Sequence, residues 1–165
     1  MLSESDKTEI KLHRVVYIAQ SYSKLPEKAY TNAVRWTALL LDKGYFVFSP
    51  ILHTHNFYVT GKEWCYNSFG ERSCDRCGIQ GDCTTPECIA IHNIEKLNFV
   101  NWDLQLLRKF VPNRVTMAFA EDCIIVRGVD NWEVDLDKSK GAKEEYNFAR
   151  IYKFQIVRLS ELLEG

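Results

Sequence analysis

The sequence has no apolar run of the length that a bilayer-spanning helix needs. It has almost no net charge either, since 21 Lys and Arg stand against 22 Asp and Glu and leave −1. A near-neutral chain sets up no long-range field toward nucleic acid or an anionic membrane, so an anion would be recognised only by a local site. Met1 to Lys11 are polar and charged and lack the apolar centre of a secretory signal. The expectation is a cytoplasmic protein, whose six cysteines are reduced and point to metal or packing before disulfides. Internal repeats and low-complexity tracts are absent. What is present, 165 residues with 46% apolar and 26% charged, suits one globular domain able to bury a core.

Arg14 to Ala19 is a short β-rich apolar run and reads as a buried strand. From Pro26 to Lys43, Ala29, Ala33, Trp36, Ala38, Leu40 and Leu41 form a helical stripe that Gly44 stops. Tyr45 to Ser49 reads as a second strand ended by Pro50, which makes a βαβ unit and implies a parallel sheet. A polar stretch then runs from His53 to about Asn93, with a Cys-rich insertion at 61–93 inside one domain of 1–165. Ile94 to Lys109 carries Leu97, Val100, Leu104 and Leu107 at helical spacing, and Cys123 to Gly128 reads as a buried strand ending in a turn. Ser139 to Tyr152 reads as a helix and Phe154 to Arg158 as a last strand, while Val115 to Ala120 fits either element. The pattern predicts an α/β fold, an open and mostly parallel Rossmann-like (flavodoxin-like) sheet with helices on both faces. Such sheets bind ligands at the carboxyl ends of their strands.

The segment Ser139-Lys140-Gly141-Ala142-Lys143-Glu144-Glu145 carries the chemistry. Ser139 is a good N-cap, and Gly141 lets a ligand approach the first turn, where free N–H groups and the helix dipole favour an anion. Glu145 lies one turn beyond Gly141 on a similar face. Read alone, the same residues also describe a capped surface helix with both glutamates in solvent.

Four pieces of the chain, in order, resemble the nucleoside 2-deoxyribosyltransferase superfamily, most closely its DUF1937-type branch, and also the deoxynucleoside 5′-monophosphate N-glycosidases. They are Val16-Tyr17-Ile18-Ala19, then Phe48-Ser49-Pro50-Ile51 with His53 and His55, then Trp102-Asp103 with Leu106-Leu107, and Ser139-x-Gly141 followed by Glu145 and Ala149. The resemblance implies that Glu145 attacks the anomeric carbon and forms a glycosyl-enzyme ester. It implies that Asp103 handles the proton on the nucleobase and that Tyr17 holds the nucleophile. An oxocarbenium-like state favours a nearby carboxylate, and a poor leaving base needs an acid, so the roles are chemically coherent. The resemblance further implies a homo-oligomer, such as a dimer, that completes each site. Members acting on unphosphorylated nucleosides place an aspartate where Ser139 stands, and a hydroxyl there suits a 5′-phosphate better. One departure is Gln20, where the family has glycine; Gln20 and Ser21 would then offer side-chain bonds to substrate. Asp103 also reads as a helix-face aspartate paired with a basic residue, and Tyr17 as a core tyrosine. Trp132 suits either base stacking or cover for the sheet edge, and His53 and His55 suit substrate contact, metal ligation or structure.

Cys74, Cys77, Cys83 and Cys88 fall as C-x2-C-x5-C-x4-C, close to a zinc knuckle. A structural zinc is expected, with an iron–sulfur cluster or an idle loop as the other readings, and Cys65 and His92 as spare ligands. Cys123 reads as a core residue. No organic cofactor is expected. The function expected is cleavage of the N-glycosidic bond of a nucleoside or nucleoside 5′-monophosphate, by hydrolysis or base exchange. A non-catalytic nucleotide sensor and a nucleic-acid-binding zinc knuckle are the competing readings; the balanced charge argues against the second.

Overall fold

Val15–Ala19 forms β1, and four of its five residues are buried. A strand buried on both faces belongs inside a sheet covered on both sides. The computed structural model describes residues 1–22, 24–65 and 99–165, with Pro86 and Ala90. Its chain divides into two compact units, residues 1–52 with 100–165 and residues 53–99.

The elements follow in order as α1 (Glu4–His13), β1, α2 (Pro26–Asp42), β2 (Phe46–Phe48) and α3 (Pro50–Cys65). Then come α4 (Phe99–Leu107), β3 (Val115–Phe119), β4 (Ile124–Val126), β5 (Trp132–Val134), α5 (Lys140–Ile151), β6 (Gln155–Arg158) and α6 (Leu159–Leu163). Four strands make an all-parallel sheet in the order β2-β1-β3-β6. The chain moves outward from β1 to β2, then crosses back to β3 on the other side of β1, so its direction of winding reverses between β1 and β3.

Strand alternation separates two apolar layers. On one face Val16, Ile18, Ala118 and Val157 pack with Ile10 of α1, Trp36 and Leu40 of α2, and Leu159 and Leu162 of α6. On the other face Tyr17, Val115, Met117 and Phe119 pack with Leu107 of α4 and with Ala142, Phe148 and Ala149 of α5. The protein is thus α/β, a four-stranded parallel sheet flanked by helices. Among the described residues no helix is long and apolar enough to cross a membrane.

The run Cys123 to Gly128 holds a strand ending in a turn, but it lies outside the parallel sheet: among the described residues β4 pairs with β5, antiparallel. Gly128, Asp130 and Asn131 supply turn residues, Arg127 N donates to Asn131 O at 2.7 Å, and the short ribbon leaves Val126 exposed. The strand beside β1 is instead β3, the segment compatible with either element, whose five residues are all buried. The polar stretch from His53 also begins as helix, because α3 runs from Pro50 to Cys65. Pro50 ends β2 and opens α3, since proline suits the first helical turn.

Candidate active site

The core-facing stripe of α5 is Ala142, Glu145, Phe148 and Ala149. Glu145 therefore occupies a position that an aliphatic side chain would fill in an ordinary amphipathic helix. Its neighbour Glu144 is exposed. On α4 the buried residues are Asp103 and Leu107, so a second carboxyl takes a core position. Tyr17 projects from the middle of β1 into the same layer. Glu145 is 6% exposed, Asp103 7% and Tyr17 1%. Two carboxyls and a phenol thus meet between one face of the sheet and the helices that cover it.

Burial dominates the electrostatics. Loss of solvent pushes Glu145 up to about 8, and the charges of Asp103 and Glu144 add to the rise, while the Tyr17 hydroxyl pulls it down. Burial pushes Asp103 up to about 7. The Tyr17 phenol is raised well above its ordinary value, first by burial and then by the two carboxylates. The Tyr17 hydroxyl and Glu145 Oε2 are buried and neither completes a hydrogen bond of normal geometry. They are near enough to influence each other's ionisation, which makes the pair unsatisfied rather than distant. Buried polar atoms without partners are costly and concentrate at functional sites.

No family model, curated protein or solved structure matches the chain.

Ser139 is the N-cap of α5, and its Oγ accepts from Ala142 N at 3.1 Å. It is itself buried. Gly141 faces Val100: a Cβ built at 141 would lie 2.8 Å from Val100 Cγ2, so the bare Cα here serves close helix packing. Gln20 is buried and donates Nε2 to Ala29 O at 2.9 Å, which ties the end of β1 to α2. Ser21 Oγ donates to Lys138 O at 3.0 Å and Ser21 N to Asp122 Oδ1 at 3.2 Å. Both side-chain donors expected to meet substrate therefore donate to backbone carbonyls, Gln20 in the interior and Ser21 at the surface. Trp132 rests 6.2 Å from Phe119 and 6.1 Å from Tyr146, ring centre to ring centre, as part of the apolar layer. His53 is exposed and His55 buried on α3, both in the unit of residues 53–99.

Cys74, Cys77, Cys83 and Cys88 lie outside the described residues, as does His92. Among the described residues no group of three or more His, Cys, Asp or Glu is arranged to hold a metal. Cys123 is buried, with Sγ 3.1 Å from Ala120 O, and burial raises its thiol far above the ordinary range. It is a core residue.

Two residues that matter to the site carry no strong sequence signal. Val100 sets the approach of α4 to Gly141, and only the helical spacing of Val100 and Asp103 hints at a shared face. Asp122 anchors the loop after β1 through Ser21. A charged pair, Glu121-Asp122, directly after a fully buried strand is the available sign of a strand end.

Proposed function

We propose that the protein cleaves the N-glycosidic bond of a nucleoside or nucleoside 5′-monophosphate through a covalent glycosyl ester on Glu145. The observation that carries this reading is the meeting of Glu145, Asp103 and Tyr17 in one buried layer of the α/β fold. The strand order, with winding reversed between β1 and β3, fits a flavodoxin-like doubly wound sheet.

The chemistry needs one proton shared by the two carboxyls. Glu145 attacks the anomeric carbon as a carboxylate, the C–N bond breaks, and the proton of Asp103 passes to the departing base. The anionic Asp103 then takes a proton from water or an acceptor, whose oxygen or nitrogen displaces Glu145 from the sugar and restores both groups. In the ligand-free protein burial raises both acids, Asp103 to about 7 and Glu145 to about 8, so both hold protons into the neutral range. Because the two groups interact they titrate as a pair, and a bound sugar that lends hydrogen bonds to Glu145 shifts the proton onto Asp103. Tyr17 favours the same distribution, since its hydroxyl already lowers Glu145.

The test is incubation with a panel of nucleosides and nucleoside 5′-monophosphates, with free base followed by chromatography. Base release by the natural chain and its loss in Glu145→Gln supports the reading, with a fall of several orders of magnitude expected for a covalent nucleophile. Turnover that survives in Glu145→Gln refutes it. A sensor is the second reading, because both carboxyls hold protons into the neutral range when no ligand is bound. It is favoured if the panel yields binding without base release.

A further inference from the structure

A second feature lies at the carboxyl ends of β1 and β3, where the winding of the sheet reverses and open α/β sheets take their ligands. It is a cavity of about 260 Å³ whose lining includes Ser21, Lys24, Lys28, Asn32, Asp122 and Lys138. We infer that this cavity binds a phosphomonoester dianion, held by Lys24, Lys28 and Lys138.

Among the described residues three lysines and one carboxylate line the space, so its formal charge is positive although the chain as a whole is nearly neutral. Two of the ammonium groups are steered by backbone carbonyls. Lys24 Nζ donates to Asp137 O, and Lys138 Nζ donates to Ile124 O at 2.7 Å. Carbonyls position an ammonium without neutralising it, so further donors and the full charge remain for an anion. Lys28 stands in the first turn of α2, whose N-cap Leu25 provides no side-chain bond and whose first residue is Pro26. The positive end of the helix dipole therefore lies at the rim. Ser21 and Asp122 brace the floor through the bonds from Ser21 to Lys138 O and Asp122. Among the described residues that line it, Asp122 is the group that repels an anion, and Lys138 and Lys28 partly offset it.

The cavity adjoins the entry to α5, because Lys138 precedes the N-cap Ser139. The cap itself is closed to a phosphate, since Ser139 is buried and its oxygen already satisfies Ala142 N. The anion position thus shifts from the helix cap to the lysines beside it. As the phosphate subsite of a nucleotide this rests on the function proposed above; as an anion site it stands without it.

Titration of the full chain with inorganic phosphate at low ionic strength, by calorimetry or NMR, tests the site. Natural protein should bind, and Lys28→Ala should bind roughly tenfold more weakly, as loss of a charged hydrogen-bond partner predicts. Asp122→Asn should bind several-fold more tightly, because the carboxamide keeps an acceptor for Ser21 N while the negative charge is gone. Opposite signs from two neighbours are not what general damage to the fold produces. Glu145→Gln should bind phosphate like the natural chain, so failure of the glycosidase reading and failure of this one are read separately. No phosphate binding, or equal binding in the natural, Lys28→Ala and Asp122→Asn proteins, overturns the site. Competition then separates two sources. If deoxynucleoside 5′-monophosphates displace phosphate and nucleosides do not, the site holds the substrate's phosphate; if neither displaces it, the site holds a free phosphate. Both results uphold the site.

Discussion

Val100 fills the space in which a side chain at Gly141 would begin, with its Cγ2 2.8 Å from where that Cβ would lie. Carbon atoms pack best at about 3.5–4.0 Å, so the two helices approach as closely as a glycine allows. Val100 precedes Asp103 by one helical turn on α4, and Gly141 precedes Glu145 by one turn on α5. The contact therefore sets the spacing of the helices that bring both carboxyls into one layer. Gly141→Ala should force α4 and α5 apart, because the β-branched Val100 has little rotamer freedom with which to yield. An overpacking cost of about 1–3 kcal/mol is expected. That outweighs the up to about 1 kcal/mol that alanine gains as a helix former. Thermal unfolding and base release measure the two effects, and Val100→Ala in the same chain should restore both. A Gly141→Ala protein as stable and as active as the natural one would show that the contact does not set the site.

Periodicity makes most of the main unit readable. The β-branched run of β1, the stripe of α2 and the capped α5 each agree with their local signals, and tertiary packing only confirms them. The motif pieces single out Glu145 and Asp103, but their spacing alone leaves solvent-exposed roles open. Only burial on the core stripes separates Glu145 from Glu144. β3 stays ambiguous in sequence because Val-Thr-Met-Ala-Phe has no polar alternation, which is what a strand covered on both faces looks like. α1 escapes periodicity for the opposite reason: it buries only Ile10 and so shows no stripe, although Ser3 and Asp6 form a capping box that a sequence can display. The cavity of Lys24, Lys28 and Lys138 is unreadable in sequence, since its members come from two segments more than a hundred residues apart.

Tyr17→Phe should raise the apparent pKa of Glu145. The hydroxyl is the one influence that lowers it, against burial and two neighbouring carboxylates. The acidic limb of the pH–rate profile should move to higher pH, with a smaller change at its alkaline side. A profile identical to that of the natural protein would assign Tyr17 to packing alone.

The cysteine spacing motivates a metal measurement. Protein purified without chelator should carry about one zinc per chain through Cys74, Cys77, Cys83 and Cys88, as their C-x2-C-x5-C-x4-C pattern suggests. Elemental analysis decides it, and replacing Cys74 and Cys77 with serine should abolish the metal. Metal-free protein with four thiols open to a thiol reagent would rule the site out, and visible absorption from bound iron would assign a cluster instead.

The two buried carboxyls should also make stability fall as pH rises. Asp and Glu ordinarily lose their protons at 3.8 and 4.5, but in the fold Asp103 holds its proton to about 7 and Glu145 to about 8. Between those limits the folded state binds more protons than the unfolded chain, so raising the pH favours unfolding. The contribution is complete below about pH 4, is lost progressively toward pH 8, and then stays lost. Its size is on the order of a few kcal/mol for each group, since each tenfold gain in proton affinity on folding corresponds to about 1.4 kcal/mol, and the two are not additive because they share one repulsion. Glu145→Gln and Asp103→Asn remove the titrating groups while keeping their shape. Each should be more stable than the natural chain at pH 8 to 9 and nearly equal to it at pH 4, and the double variant should show the flattest profile. Melting temperatures across that range give the comparison, and the difference between variant and natural protein cancels every other titrating group, including Asp122. If the difference does not change with pH, the carboxyls ionise normally in the fold, and the buried proton on which the glycosidase chemistry depends is absent.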